Sequence, residues 1–187
     1  MNTVALIAIV IILAVVAFAF WMYTKQRQRA ELRGRFGPEY ERAVDDYGER
    51  GRAEAALAAR AERVEQLHIR PLAADESARY AEEWRAVQSR FVDQPEDAIG
   101  EADRLVGEVM QRRGYPMGDF DQRAADISVD HPDTVAHYRA AHTLYLAQEQ
   151  ADIGTEAQRQ AFVHYRALFE QLLGKEHAIE KPKEATA

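Results

Sequence analysis

The chain reads as all-α: an N-terminal transmembrane helix followed by a compact multi-helix soluble domain. Three observations predict this. Val4 to Tyr23 is an apolar run of about twenty residues with no charge, proline or glycine, enough to span about 30 Å of hydrocarbon as a helix. Beyond it, apolar residues recur at steps of three and four nearly to the end. No stretch shows the alternation of a half-buried strand.

The run is read as an anchor rather than a cleaved leader. Met1, Asn2 and Thr3 carry no side-chain charge, and the apolar stretch is longer than a leader needs. Ala17-Phe18-Ala19 has a small-x-small form, but Phe20, Trp21 and Met22 follow without a polar release region. The anchor is placed over 1–24 and a basic juxtamembrane segment over 25–35. Lys25, Arg27, Arg29, Arg33 and Arg35 face a single Glu31 there, and the N-terminal flank has no positive residue. The positive-inside rule then puts the domain in the cytoplasm, with a domain held outside the membrane as the alternative. Trp21 and Tyr23 occupy an interfacial position.

The helical domain is placed over 36–174, with five or six helices, and a charged, disordered tail over 175–187. Phe36, Tyr40, Val44 and Tyr47 form the first stripe, with Pro38 suited to a first turn. Gly48 and Gly51 leave open whether 36–68 is one helix or two. Leu57, Ala61, Val64 and Leu67 continue the pattern until Pro71. Tyr80, Trp84, Val87 and Phe91 make the clearest helix face. Pro95 opens the next helix, whose inward stripe is Ala98, Ala102, Leu105, Val109 and Met110. Gly100 and Gly107 on it fit either a close backbone approach or tolerance at the surface.

After the turn Arg113-Gly114-Tyr115-Pro116, Asp119 with Gln122 caps a short helix bearing Phe120, Ala124 and Ile127. Asp130-His131-Pro132 restarts the chain, and Val135, Tyr138, Ala141, His142 and Tyr145 form the following stripe. Thr155 with Gln158 reads as a capping box ahead of Phe162, Tyr165, Phe169 and Leu172, with Gly174 closing that helix. His137-Tyr138-Arg139-Ala140 recurs as His164-Tyr165-Arg166-Ala167, too short a match for a solenoid.

Charge and motifs narrow the function. The net charge is -7; the basic segment contributes about +4, which leaves the remainder near about -11 and argues against nucleic acid as a partner. There is no cysteine, hence no thiolate chemistry. The carboxylates from Asp119 to Asp133 lack the glycine and closing glutamate of a calcium loop, and helix capping explains several of them. His137 and His142 are five apart and point about 140° from each other, unlike zinc ligands on one helix face. No phosphate loop, nucleophile elbow or dinucleotide fingerprint is present, so no catalytic residue, cofactor or metal is assigned. The irregular segments nominate Tyr115, Pro116, Asp130 and His131 as a candidate interaction or ligand surface, and His142 joins them from its place on the stripe between Tyr138 and Tyr145.

Trp84-Arg85-Ala86-Val87-Gln88-Ser89-Arg90-Phe91-Val92, Arg113-Gly114-Tyr115-Pro116 and Ala124-Ala125-Asp126-Ile127-Ser128-Val129-Asp130-His131-Pro132 together resemble a family of bacterial single-pass membrane-anchored helical proteins with no assigned activity. The resemblance implies a bacterial inner-membrane setting and carries over no site residues. The expectation is a membrane-tethered, non-catalytic interaction or scaffold module. Its partners would be the lipid bilayer and another membrane or cytoplasmic protein. The alternative is a small ligand-binding or sensing domain.

Overall fold

The computed structural model describes the backbone of residues 3–174, and the side chains of Ile7 and of residues 11–174. Among the described residues there are eight helices and no strand, and seven of the helices follow the first, against the five or six expected. The chain divides into two compact units, Met1–Ala58 and Ala59–Ala187. The expected tail over 175–187 lies outside the described residues.

In the first unit, α1 (Thr3–Phe36) is one continuous helix of 34 residues, running through both the apolar run and the basic segment. Ile11, Ile12, Leu13, Val15, Val16, Phe18, Phe20, Trp21, Met22 and Tyr23 are each more than half exposed. They point in every direction around the helix, so no face of this stretch is covered. Among the described residues, however, no helix is long and apolar enough to cross a membrane. The start of the expected span, at Val4–Leu6 and Ala8–Val10, lies outside the described side chains.

α2 (Pro38–Tyr47) begins with its proline in the first turn, and α3 spans Arg50–Glu65, its residues from Ala59 on belonging to the second unit. The segment over 36–68 is therefore two helices. Gly48 separates them at φ 65°, a left-handed conformation that a β-carbon would strain. Phe36, Tyr40, Ala43, Ala53 and Leu57 are buried in this unit, whereas Tyr47 is exposed. The expected stripe thus turns toward Ala43 at its end. Glu54 of α3 accepts hydrogen bonds from Arg29 of α1 and Tyr40 of α2, both at 2.7 Å, and so ties all three helices together.

The second unit holds α4 (Ala74–Arg90), α5 (Pro95–Arg113), α6 (Phe120–Asp130), α7 (Val135–Gln148) and α8 (Gly154–Leu172). α8 packs on α5 and α7, α4 lies on α5, and α6 lies on α7. Trp84 of α4 stacks on Phe162 and Phe169 of α8, with ring centroids 5.0 and 4.5 Å away. Truncating such a ring typically costs about 3–5 kcal/mol. The expected stripe of α5 is buried, and Ile99 and Val106 join it.

One local expectation is corrected, and one open alternative is resolved. α8 starts at Gly154, where Asp152 Oδ1 accepts from the Gly154 amide at 2.8 Å, and no side-chain cap is made by Thr155. The glycines of α5 meet side chains, not another backbone: a β-carbon on Gly107 would lie 3.3 Å from Met117 Cε, and one on Gly100 3.8 Å from Tyr145. The close backbone approach is at Gly114 instead. There φ is 104°, and a β-carbon would lie 2.7 Å from the His68 carbonyl oxygen. The adjacent Arg113 carbonyl accepts from the Arg70 amide at 2.8 Å, fixing the two segments side by side.

Candidate functional site

The nominated turn and junction meet where α5 and α6 end. Gly114 caps α5 in the left-handed region and turns Tyr115 inward, leaving it 2 % exposed. Its Oη donates to Asp130 Oδ2 at 2.6 Å. Burial, then the Asp130 bond, pushes the phenol well above its ordinary range, so it stays a neutral donor. His131 caps α6 and touches Arg113 Nη1 through Nε2 at 3.2 Å and Gln171 Oε1 through Nδ1 at 3.0 Å. An arginine can only donate, so Nε2 is the acceptor and Nδ1 carries the proton. Arg113 also donates to the Leu172 carbonyl at 3.3 Å, and its guanidinium lies 5.9 Å from the Tyr115 ring centroid.

Tyr115, Asp130 and His131 are therefore brought together, with Arg113 and Gln171 completing the group. Pro116 stands exposed beside them. His142 has a different neighbourhood. Its ring stacks on Phe120 at 3.7 Å and lies 6.1 Å from Tyr145, with Nδ1 buried and unbonded. Burial holds its pKa below the usual histidine range, opposed by Asp103.

A second polar centre was not legible in the sequence. Glu76, 8 % exposed, accepts from Arg70 Nη1 at 2.9 Å, from the Ala73 amide at 2.9 Å and from Arg112. The Arg70 bond, then that from Ala73, draws its pKa down to about 2. In α6, Asp126 is 1 % exposed, and its Oδ1 accepts from Arg63 Nη2 at 2.6 Å and Gln122 at 2.8 Å. These acids are structural ties between segments distant in sequence. Among the described residues, no group of three or more histidine, cysteine or acidic side chains stands where it could hold a metal ion.

The basic segment is largely engaged within the chain. Arg27 pairs with Glu31 at 3.2 Å, Arg29 with Glu54 at 2.7 Å and Arg33 with Glu41 at 2.6 Å. Arg35 also has a partner. Lys25 Nζ lies 4.9 Å over the Trp21 ring. The exposed Arg27–Glu31 and Arg33–Glu41 pairs each contribute about 0–1 kcal/mol.

An open cleft of about 580 Å³ lies between α5 and α7, lined by Gln94, Asp97, Gly100, Arg104, Tyr145 and Glu149 among others. Another, of about 620 Å³, is lined by Arg70, Tyr80, Glu108, Gln111 and Arg112. Neither is lined by Tyr115, Asp130, His131 or His142. Comparison with family models, curated proteins and solved structures finds no match to this chain.

Proposed function

We propose that this chain is a membrane-tethered, non-catalytic helical interaction module, held at a bacterial inner membrane with its helical domain in the cytoplasm. One observation carries the reading: the apolar side chains of α1 from Ile11 to Tyr23 are exposed on all sides. A helix that packs on a protein core buries one stripe, whereas one that enters lipid needs apolar groups all round. The sequence extends the run back to Val4, to a length that would span the hydrocarbon. The non-catalytic part of the reading is supported by the polar centres, whose acids and histidines are committed to ties between helices. Asp130 holds Tyr115, Glu76 joins two arginines, and His131 sits between Arg113 and Gln171.

The test is fractionation of cells expressing the full chain, followed by protease treatment. The reading expects the protein in the membrane pellet, released by detergent but not by high salt or alkaline carbonate. Protease added outside intact cells should leave the domain whole. Digestion there would reverse the orientation, as the extracytoplasmic alternative holds, and recovery in the soluble fraction would remove the tether.

A second reading, a small ligand-binding or sensing domain, is favoured by the cleft beside Tyr145. Its polar, mainly acidic lining would suit a cationic ligand. A thermal-shift screen of small organic cations tests it, and no saturable shift in any of them would set it aside.

A further inference from the structure

We propose that His137 and His164 form a two-histidine site for a divalent transition-metal ion of the zinc, nickel and copper class on the α7–α8 surface. The recurring His-Tyr-Arg-Ala motif is what brings them together. In each copy the tyrosine goes inward and the histidine outward: Tyr138 and Tyr165 are fully buried, while His137 is exposed and His164 half-buried. The two tyrosine rings meet edge to face at 6.5 Å, and Tyr165 Oη donates to Asp103 of α5 at 2.9 Å. The helix backbones beneath the histidines are thereby fixed. Above them the imidazoles converge, with Nδ1 to Nδ1 at 2.8 Å and ring centroids at 5.0 Å.

At that distance one Nδ1 carries a proton and the other accepts it. If both rings take the Nε2–H form, two lone pairs point at one position on the surface. Zinc–nitrogen bonds of about 2.0–2.1 Å at a tetrahedral angle place the nitrogens about 3.4 Å apart. The pair needs to open by only about 0.6 Å, within reach of side-chain rotation at an exposed position. Imidazole favours zinc, nickel and copper over magnesium and calcium. With two protein ligands, water would complete the coordination, giving an exchangeable site that clamps α7 to α8.

The test uses the tag-free full chain in detergent, titrated with zinc chloride or nickel chloride and followed by calorimetry and thermal unfolding. One equivalent should bind saturably, and at about a hundredfold excess over Kd should raise Tm by roughly 5–10 °C. Magnesium chloride should give no rise. His137→Ala and His164→Ala, and the closer His137→Asn and His164→Asn, should each abolish the rise and leave the metal-free melt nearly unchanged. His68→Ala and His131→Ala should retain it. No binding by the native chain would overturn the site, as would binding that survives substitution of either His137 or His164.

Discussion

Tyr165 donates a 2.9 Å hydrogen bond from Oη to Asp103 Oδ1, joining the centre of α8 to α5 beneath a surface where two histidines meet. Burial, then Asp103, pushes the phenol far above its usual range, so Tyr165 stays a neutral donor. Tyr165→Phe keeps the ring and removes the donor. It should destabilise the protein by about 1.5–3 kcal/mol, the usual worth of a hydrogen bond to a charged group. Chemical denaturation checks it, and a loss under about 0.5 kcal/mol would show that water replaces the bond without penalty.

Glu76 gives a pH dependence with a definite sign. Its carboxyl is held at about 2 in the folded chain, below the ordinary 4.5. The unfolded chain therefore takes up the proton first as acid is added. The stabilisation is full above about pH 4.5 and fades as pH falls toward about 2. Glu76→Gln should lower Tm at neutral pH, and the gap to the native chain should close across that window. A gap constant from pH 6 to pH 2 would exclude the carboxylate as the source.

Gly114 has no room for a side chain. With φ at 104° and the His68 carbonyl 2.7 Å from where a β-carbon would lie, Gly114→Ala must displace backbone. A loss of about 2 kcal/mol or more is expected in equilibrium unfolding. Gly154→Ala supplies the contrast. Its φ of 75° carries strain, but nothing lies within 4 Å of its β-carbon position, so its loss should be the smaller of the two.

His142 should behave as a half-buried aromatic. Because burial lowers its pKa below 6.5, the unfolded chain binds that proton first. Stability from this group is present above pH 6.5 and is lost as pH falls. His142→Phe keeps the stack on Phe120 and removes the unbonded Nδ1. The variant should gain on the native chain between pH 7 and pH 5. Nuclear magnetic resonance titration of the native ring should place its midpoint below 6.5; a midpoint above that value would reverse the sign.

The helical pattern was legible because each helix buries a stripe that repeats locally. Tyr80, Trp84 and Val87, or Phe162, Tyr165 and Phe169, announce their inward face without reference to the rest of the chain. Asp119 likewise caps α6 as its spacing to Gln122 foretold, with the Gln122 amide 2.8 Å from Oδ1. Long-range polar ties were not legible. Nothing about Glu76 in sequence points to Arg112, 36 residues away, and nothing about Asp126 points to Arg63. The repeated His-Tyr-Arg-Ala was visible as a string, but only helix packing turns two copies into a facing pair. In the candidate site, the turn and the junction proved to be neighbours, because Tyr115 needs an acceptor once Gly114 has turned it inward. His142 was grouped with them on the strength of its stripe, whereas Phe120 claims its ring.

The proposed tether is tested most directly at Trp21. The sequence has two tryptophans, and Trp84 lies in the helical core at 5 % exposure. Full-length protein reconstituted in vesicles with brominated acyl chains should show strong quenching of one tryptophan, and Trp21→Phe should abolish that component. Quenching should be greatest with bromines near the headgroups, since Lys25, one helical turn on, sits over the Trp21 ring. Native emission unaffected by bromine at every depth, with Trp21 still open to an aqueous quencher, would contradict the account.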